Sequence, residues 1–277
     1  MTVCIAAICD TGRALIMVAD RQFGLGYTSV ESKHGKFDNF GPDWYVGFAA
    51  NNMAYATEVI TLGRSRLQKQ AERDHYDMIP KIERCYQDVR NAKAEALYLS
   101  SWGSSLSDFH AHGKERIPLG TYAGVYSKLT TFDLSVELLV AGFGDAARIF
   151  RIRNPGVSSE QTGLGFWAIG SGSAAALSSL FSREYNFSMS IEEALMYAYE
   201  AKVDAEYATD VGRDTDIFII NRDATPLRID EDTQKKTLEP IRKQIEPRKL
   251  RDEHKTKMGK INEVEILKRM IKQHSGV

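Results

Sequence analysis

The sequence predicts a protein of the α+β class, in which helices pack on a core of β-strands. First, the chain opens with two apolar runs, 3–9 and 14–19, on either side of the short polar segment 10–13, which is typical of a buried β-hairpin. Second, two long stretches with helical apolar spacing, 53–67 and 78–99, follow the early strands. Helices that come in succession after strands indicate a helical layer packed on a sheet.

The predicted hairpin makes Thr2 a candidate functional residue. A strand that starts at the second residue fixes the position of the α-amino group, although chain ends are normally loose. We expect Met1 to be removed, since cellular processing commonly removes it before a small residue, and Thr2 then carries a hydroxyl and a free amine. Such an amine titrates at about 7.7 to 8.0 and can act as general base for the hydroxyl. The alternative is that Thr2 is only the first residue of a buried strand.

The next strand, 44–50, contains Gly47 and precedes the first helix. A strand with a glycine, a short turn and a helix is a layout that leaves a backbone N–H pointing at a site. The alternative is a glycine that allows close packing of strands.

Between 102 and 133 the apolar pattern weakens, as expected of a long loop with a functional or mobile role. Asp108, His110 and His112 suit a metal if the segment is a strand, because alternate residues of a strand place both imidazoles on one side. No third ligand is evident nearby, so we interpret the histidines as solvent-exposed and predict no metal and no cofactor.

Strand patterns return at 136–142, 148–152 and 166–169, and Gly170-Ser171-Gly172 then leads into a helix. A turn of this kind also suits a phosphate, because helix N-termini attract anions. The third glycine of a dinucleotide fingerprint and the Gly-Lys-Ser/Thr ending of a P-loop are missing, however. Ser190 and Glu193 have the spacing of a capping box, which predicts a helix to about 207, and 215–221 is the closing strand.

The composition excludes several classes of protein. The 277 residues carry a net charge of −1, which gives no reason to expect nucleic acid as a partner. We find no long apolar run that spans a membrane and no signal peptide. The three cysteines have neither a disulfide framework nor metal-ligand spacing, so we expect a reducing, cytoplasmic location.

The C-terminal part, 230–277, is lysine-rich and highly charged, and two prolines, Pro240 and Pro247, interrupt any continuous helix. The apolar residues near its end recur at helical spacing, which leaves open an amphipathic helix that docks on a neighbour or a solvated tail. These residues are Ile261, Val264, Leu267 and Ile271.

Six residues at the start of the chain resemble the N-terminal region of proteasome β-subunits and of HslV, their simpler bacterial relative. These are Thr2, Asp20, Gln22, Leu25, Gly26 and Lys36. The interval from Asp20 to Lys36 matches that family, whereas the interval from Thr2 to Asp20 is longer by two residues. One extra residue on each hairpin arm keeps the register. The strands and the Gly-Ser-Gly turn of 136–221 have the same order as in the family.

The resemblance implies a four-layer αββα sandwich, the N-terminal nucleophile (Ntn) hydrolase fold, over 1–229, with an insertion at 102–133 that serves as a lid or a ring contact. By the same resemblance Thr2 is the nucleophile, and Lys36, with Lys33 as a nearby alternative, holds positive charge near its hydroxyl. Asp20 orients the lysine, the Gly47 N–H forms the oxyanion hole, and Ser171 assists proton exchange.

One departure from the family bears on activity. Proteasome subunits carry an aspartate and a serine just before the closing strand, where this chain has Ala208 and Val211. Either a small shift lets Asp210 substitute or this support is absent.

The function that the resemblance implies is a threonine-type peptide hydrolase. Its substrates are peptides or unfolded proteins, and it forms a homo-oligomeric ring that an ATP-dependent unfoldase can serve. The alternatives are an Ntn amidase or acylase that acts on small amides and a catalytically inactive ring or scaffold subunit.

Overall fold

The computed structural model describes residues 2–24, 29–31, 35–67, 74–208, 211–222 and 226–243. The chain divides into two compact units, Met1–Gln234 and Lys235–Val277. In the second unit, Arg242 donates its backbone N–H to the carbonyl of Leu238, at 2.9 Å. The amphipathic segment predicted near the C-terminus and Lys33 lie outside the described residues.

Strands and helices alternate in blocks along the described residues. The strands are β1 Cys4–Cys9, β2 Ala14–Asp20, β3 Gln22–Gly24, β4 Ser29–Glu31, β5 Phe37–Asn39, β6 Trp44–Ala50, β7 Val136–Phe143, β8 Ala147–Arg153, β9 Val157–Glu160, β10 Phe166–Ile169, β11 Thr215–Asn221 and β12 Leu227–Arg228. The helices are α1 Met53–Leu67, α2 His75–Tyr98, α3 Leu106–Arg116, α4 Leu119–Thr131, α5 Ser173–Ser182, α6 Ile191–Ala205 and α7 Glu231–Thr237. Among the described helices, none is long and apolar enough to cross a membrane.

Ten of the described strands form two antiparallel five-stranded sheets, and β3 pairs with β4 in a separate two-stranded sheet. The first sheet has the order β10-β1-β2-β11-β12 and the second β5-β6-β7-β8-β9. The predicted N-terminal hairpin is confirmed, and its last pair is Cys9 with Ala14. Asp10 and Thr11 turn the chain with positive φ angles of 48° and 52°. β1 and β2 are buried at every position, so the hairpin lies inside the molecule, with β1 between β2 and β10.

Apolar side chains divide the molecule into four layers. Residues of β1 and β2, such as Cys4 and Met17, pack against residues of β7 and β8, such as Leu139 and Ile149, between the two sheets. The other face of the second sheet packs on α1 and α2. Helices α5 and α6 cover the first sheet through β10, β1 and β2. The predicted αββα sandwich is therefore observed.

The helix signals of the sequence are largely confirmed. Ser190 and Glu193 form the predicted capping box at the start of α6, with both hydrogen bonds at 3.2 Å. Helix α2 begins one turn earlier than predicted, because Asp74 caps it by accepting the backbone N–H of Tyr76, at 3.0 Å.

The segment 102–133 is not a long loop, and the expectation from its weak apolar pattern was wrong. It folds into α3 and α4, which share an apolar cluster with α2 that includes Phe109 and Tyr122. The pattern is weak because both helices are mostly exposed. His110 and His112 lie on α3, so the strand geometry considered for a metal does not occur. No group of three potential metal ligands is present among the described residues.

Alanine substitutions at two glycines, Gly142 of β7 and Gly124 of α4, test the packing of the second sheet. A Cβ at Gly142 would overlap the carbonyl oxygen of Asp43 and lie 2.6 Å from the indole of Trp44, whereas a Cβ at Gly124 would meet nothing within 4 Å. We expect Gly142→Ala to lower the free energy of unfolding by about 1 to 3 kcal/mol. Gly124→Ala, the matched control, should raise it by up to about 1 kcal/mol, since alanine is the better helix former. Urea denaturation measures both, and an unchanged Gly142→Ala midpoint would contradict the packing.

Candidate active site

Thr2 lies just before β1 and is held at three atoms. Its backbone nitrogen donates to Ser171 Oγ at 3.2 Å, and its carbonyl oxygen accepts the N–H of Gly172 at 3.2 Å. Its hydroxyl donates to Asp20 Oδ1. The residue is only 4% exposed. Both groups needed for an N-terminal nucleophile, the nitrogen and the hydroxyl, therefore have fixed positions.

Asp20, the last residue of β2, is completely buried. Its Oδ1 accepts the Thr2 hydroxyl, the Val3 N–H at 2.8 Å and the Lys36 ammonium at 2.8 Å. Its Oδ2 accepts the N–H groups of Gln22 and Gly212, both at 3.1 Å. Each carboxylate oxygen thus has at least two donors, which is the arrangement that a buried charge requires.

Lys36 precedes β5 and is 2% exposed. Its Nζ donates both to the Thr2 hydroxyl oxygen and to Asp20 Oδ1. A buried cation beside a hydroxyl oxygen favours the negative charge that forms when the hydroxyl loses its proton. The structure therefore brings together Thr2, Asp20, Lys36 and Ser171 out of the five residues that the sequence analysis selected.

The turn that carries Ser171 is closely packed on Thr2. Gly170 has a φ of +90°, and a Cβ there would overlap the carbonyl oxygen of Thr2. A Cβ at Gly172 would lie 2.9 Å from the side chains of Ala205 and Val211. Gly170 is needed for the close approach to Thr2, and Gly172 is needed for the close packing on Ala205 and Val211. Because Ser171 Oγ accepts the Thr2 N–H, the turn faces the threonine.

Gly47, the fifth residue, lies in the middle of β6 between Phe37 of β5 and Leu139 of β7. A Cβ there would lie 3.0 Å from the ring of Phe37 and 3.3 Å from Cβ of Cys4. The N–H of the next residue, Phe48, points toward β5 and donates to the Lys36 carbonyl at 3.3 Å. Since N–H groups alternate along an antiparallel strand, that of Gly47 points toward β7. This placement favours the close-packing alternative for Gly47.

The same alternation directs attention to the N–H of Ala50, a residue that the sequence analysis did not select. Its N–H points to the same side of β6 as that of Phe48, the side of Lys36. The described ladder between β5 and β6 runs only from Phe37 to Asn39 and does not reach Ala50. The residue ends β6 and is half-buried. An alanine in an apolar run carries no sequence signal for this position, because the strand register alone decides it.

Backbone groups support the site at the positions where the resemblance to proteasome subunits implied an aspartate and a serine. Val211 packs against the Ser171 turn, and Gly212 donates its N–H to Asp20. The fully buried Lys202 donates to the Arg213 carbonyl and to Glu206, each at 2.6 Å, and so fixes Arg213, the residue after Gly212. Asp210, the substitute considered from the sequence, lies outside the described residues.

The thiol of Cys4 is a further potential nucleophile close to Lys36 and Asp20, and its environment makes it unreactive. Its thiol donates to the Phe48 carbonyl at 3.4 Å. Burial raises the pKa of the Cys4 thiol to about 12. Burial likewise raises the pKa of Cys9 to about 12. Buried thiols of this kind are structural rather than catalytic.

These pKa values predict slow alkylation of the native protein. At about pH 8 the Cys4 thiolate fraction is roughly 10⁻⁴, so iodoacetamide should leave Cys4 and Cys9 unmodified in the folded chain. In denaturant all three cysteines should react, which peptide mass spectrometry can follow. Rapid alkylation of Cys4 in the folded protein would contradict the described burial.

Comparisons with known proteins bear on the fold of the whole chain. No family model matches the chain, and no curated protein matches it. Among solved structures, it is similar to an Anbu (Gly-1) mutant from Hyphomicrobium sp. strain MC1, with a TM-score of 0.63 and 15% identity over 94% of this chain and 100% of that chain. It is equally similar to Anbu (ancestral beta-subunit) from Yersinia bercovieri, with a TM-score of 0.64, 15% identity and the same coverage. The chain therefore has a proteasome-like Ntn-hydrolase fold.

Proposed function

We propose that this protein is a threonine-type peptide hydrolase whose nucleophile is the Thr2 hydroxyl, armed when the bond between Met1 and Thr2 is cleaved. The observation that carries the proposal is the position of Thr2 Oγ1 between Lys36 Nζ and Asp20 Oδ1 in a buried site. A hydroxyl, a cation beside its oxygen and a carboxylate that orients both form the arrangement of an activated nucleophile.

The first half of the reaction forms an ester. The Thr2 amine accepts the hydroxyl proton, directly or through water, while Oγ1 attacks the carbonyl carbon of the substrate amide. Lys36 stabilises the charge on Oγ1, and Asp20 keeps the lysine in place. The Ala50 N–H, which points to the Lys36 side of β6, is the proposed donor to the oxyanion, and such a donor contributes about 3 kcal/mol in comparable sites. The C–N bond then breaks, and the ammonium of Thr2 returns a proton to the leaving amine.

The second half hydrolyses the ester. The Thr2 amine, now neutral again, takes a proton from water, and the resulting hydroxide attacks the ester carbonyl. Collapse of the tetrahedral intermediate releases the acid and returns the proton to Thr2 Oγ1. Ser171 Oγ lies 3.2 Å from the Thr2 nitrogen and can exchange protons with it.

One alternative has an observation in its favour. Ala208 and Val211 stand where related subunits carry a supporting aspartate and serine, which favours an inactive ring or scaffold subunit. The hydrogen bond from the Gly212 N–H to Asp20 argues for activity, because it supplies a donor to the site from the same loop.

A small-amide amidase would use the same residues, since fold does not determine substrate. Assays on short peptides and on small amides distinguish a peptide hydrolase from an amidase.

The partners stay predictions of this proposal. They are further copies of the chain in a homo-oligomeric ring and an ATP-dependent unfoldase, with peptides or unfolded proteins as substrates. A cytoplasmic location is likewise a prediction. Sedimentation of the purified protein tests the ring directly.

Two variants of Thr2 test the chemistry. We expect Thr2→Ala to lower kcat/KM on a peptide substrate by about 10⁴-fold or more, because the attacking oxygen is removed. Thr2→Ser, the matched control, retains the hydroxyl and should keep measurable turnover. Thermal unfolding of both variants must resemble the wild type, which separates lost chemistry from lost folding. Turnover that persists in Thr2→Ala would overturn the assignment.

A further inference from the structure

A second buried carboxylate, Asp216, lies in the first sheet close to the proposed site. It belongs to β11, where it pairs with Ala19 of β2, and it is 1% exposed. Its Oδ1 accepts Arg228 Nε at 2.8 Å and lies 3.8 Å from a guanidinium nitrogen of Arg21. Its Oδ2 is buried and has no hydrogen-bond partner among the described residues. None of the steps proposed above uses this side chain.

Arg21 connects Asp216 to the end of β2. It directly follows Asp20, it is 5% exposed, and its backbone N–H donates to the Asp214 carbonyl at 3.1 Å. Its guanidinium also pairs with Glu231, at 2.7 Å. Since Arg21 is the chain neighbour of Asp20, these contacts fix the backbone next to the carboxylate that holds Thr2 and Lys36.

Gly35 connects the same carboxylate to Lys36. A Cβ at Gly35 would overlap Oδ2 of Asp216 and lie 2.7 Å from its Cγ. Gly35 directly precedes Lys36 in the chain. The carboxylate of Asp216 is therefore packed against the backbone that carries the catalytic lysine, and only a residue without a side chain fits there.

We propose that Asp216 is a positioning residue that sets the distance between Asp20 and Lys36, through Arg21 on one side and Gly35 on the other. This inference rests on the proposed function for its catalytic consequence. Arg228 of β12 and Glu231 at the start of α7 complete the network, with two acidic and two basic side chains. The segment after the closing strand thus supports the active site, although it contains no catalytic residue.

A double-mutant cycle tests the steric part of the proposal. With a peptidyl epoxyketone as probe, we expect Asp216→Ala to lower the maximal rate of adduct formation at Thr2 about tenfold and Gly35→Ala about 100-fold. The double variant should react about as fast as Asp216→Ala alone, because removal of the carboxylate leaves room for the new methyl group. If the two effects multiply instead, Asp216 and Gly35 act independently and the proposal fails.

The electrostatic part is tested on α7 with a neighbouring control. Glu231→Gln removes one of the two carboxylate partners of Arg21, whereas Asp232→Asn removes an exposed charge one residue later. We expect the first variant to lower the maximal rate severalfold at an unchanged half-saturating probe concentration and the second to leave both parameters unchanged. Equal effects of the two variants, or an effect on half-saturation alone, would contradict a positioning role.

A readout that does not need activity separates this inference from the proposed function. Lys36 is buried in the wild type, so its acylation by acetic anhydride, followed by peptide mass spectrometry, should be slow. Asp216→Ala and Gly35→Ala should increase it about tenfold at unchanged labelling of Lys93, which lies in α2. If the wild type forms no epoxyketone adduct, the hydrolase proposal fails and the labelling still decides the role of Asp216. Unchanged Lys36 labelling in both variants would overturn it.

Discussion

The carboxylate of Asp20 is the group on which the rest of the site depends. It lies at the end of β2, and it receives donors from Val3 just before β1, from Lys36, from Gln22 and from Gly212 before β11. A buried ion pair gains little by itself, because desolvation offsets most of the attraction. Removing one partner is expensive, however, about 3 to 5 kcal/mol, because the other charge is left buried. Asp20 and Lys36 are therefore bound to one geometry, and Thr2 lies between them.

The N-terminal hairpin explains why this geometry is available. Both strands are buried, with β1 between β2 and β10 and β2 between β1 and β11. The first described residue, Thr2, is therefore as well fixed as the core. Gly170 then lets the Ser171 turn approach its backbone closely. Once Met1 is removed, the Thr2 amine would lie against the Ser171 hydroxyl, as the proposed proton exchange between the two requires.

Local signals made much of this predictable from the sequence. The apolar arms around 10–13 gave the hairpin, and Ser190 with Glu193 gave the start of α6, because each signal depends on neighbouring residues only. The resemblance added the order of Thr2, Asp20, Lys36 and Ser171 along the chain. What could not be predicted depends on register and on long-range packing. The choice between Gly47 and Ala50 depends on which side of β6 their N–H groups face.

The same limitation applies to the support of Asp20 and to α3 and α4. The Gly212 N–H has no side-chain signature, and Asp216 resembles any acidic residue in a strand until Gly35 is found against it. Helices α3 and α4 were missed because an exposed helical pair needs few apolar residues. In each case the deciding contact joins residues far apart in sequence, which no local pattern encodes.

Intact-protein mass spectrometry, before and after incubation with a peptidyl epoxyketone, tests the central claim most directly. This electrophile needs both a hydroxyl and a free amine on one residue. The account predicts loss of Met1 and a single adduct that maps to Thr2. Retention of Met1, with the Thr2 nitrogen still in a peptide bond and no adduct, would contradict it and leave a scaffold subunit as the better description.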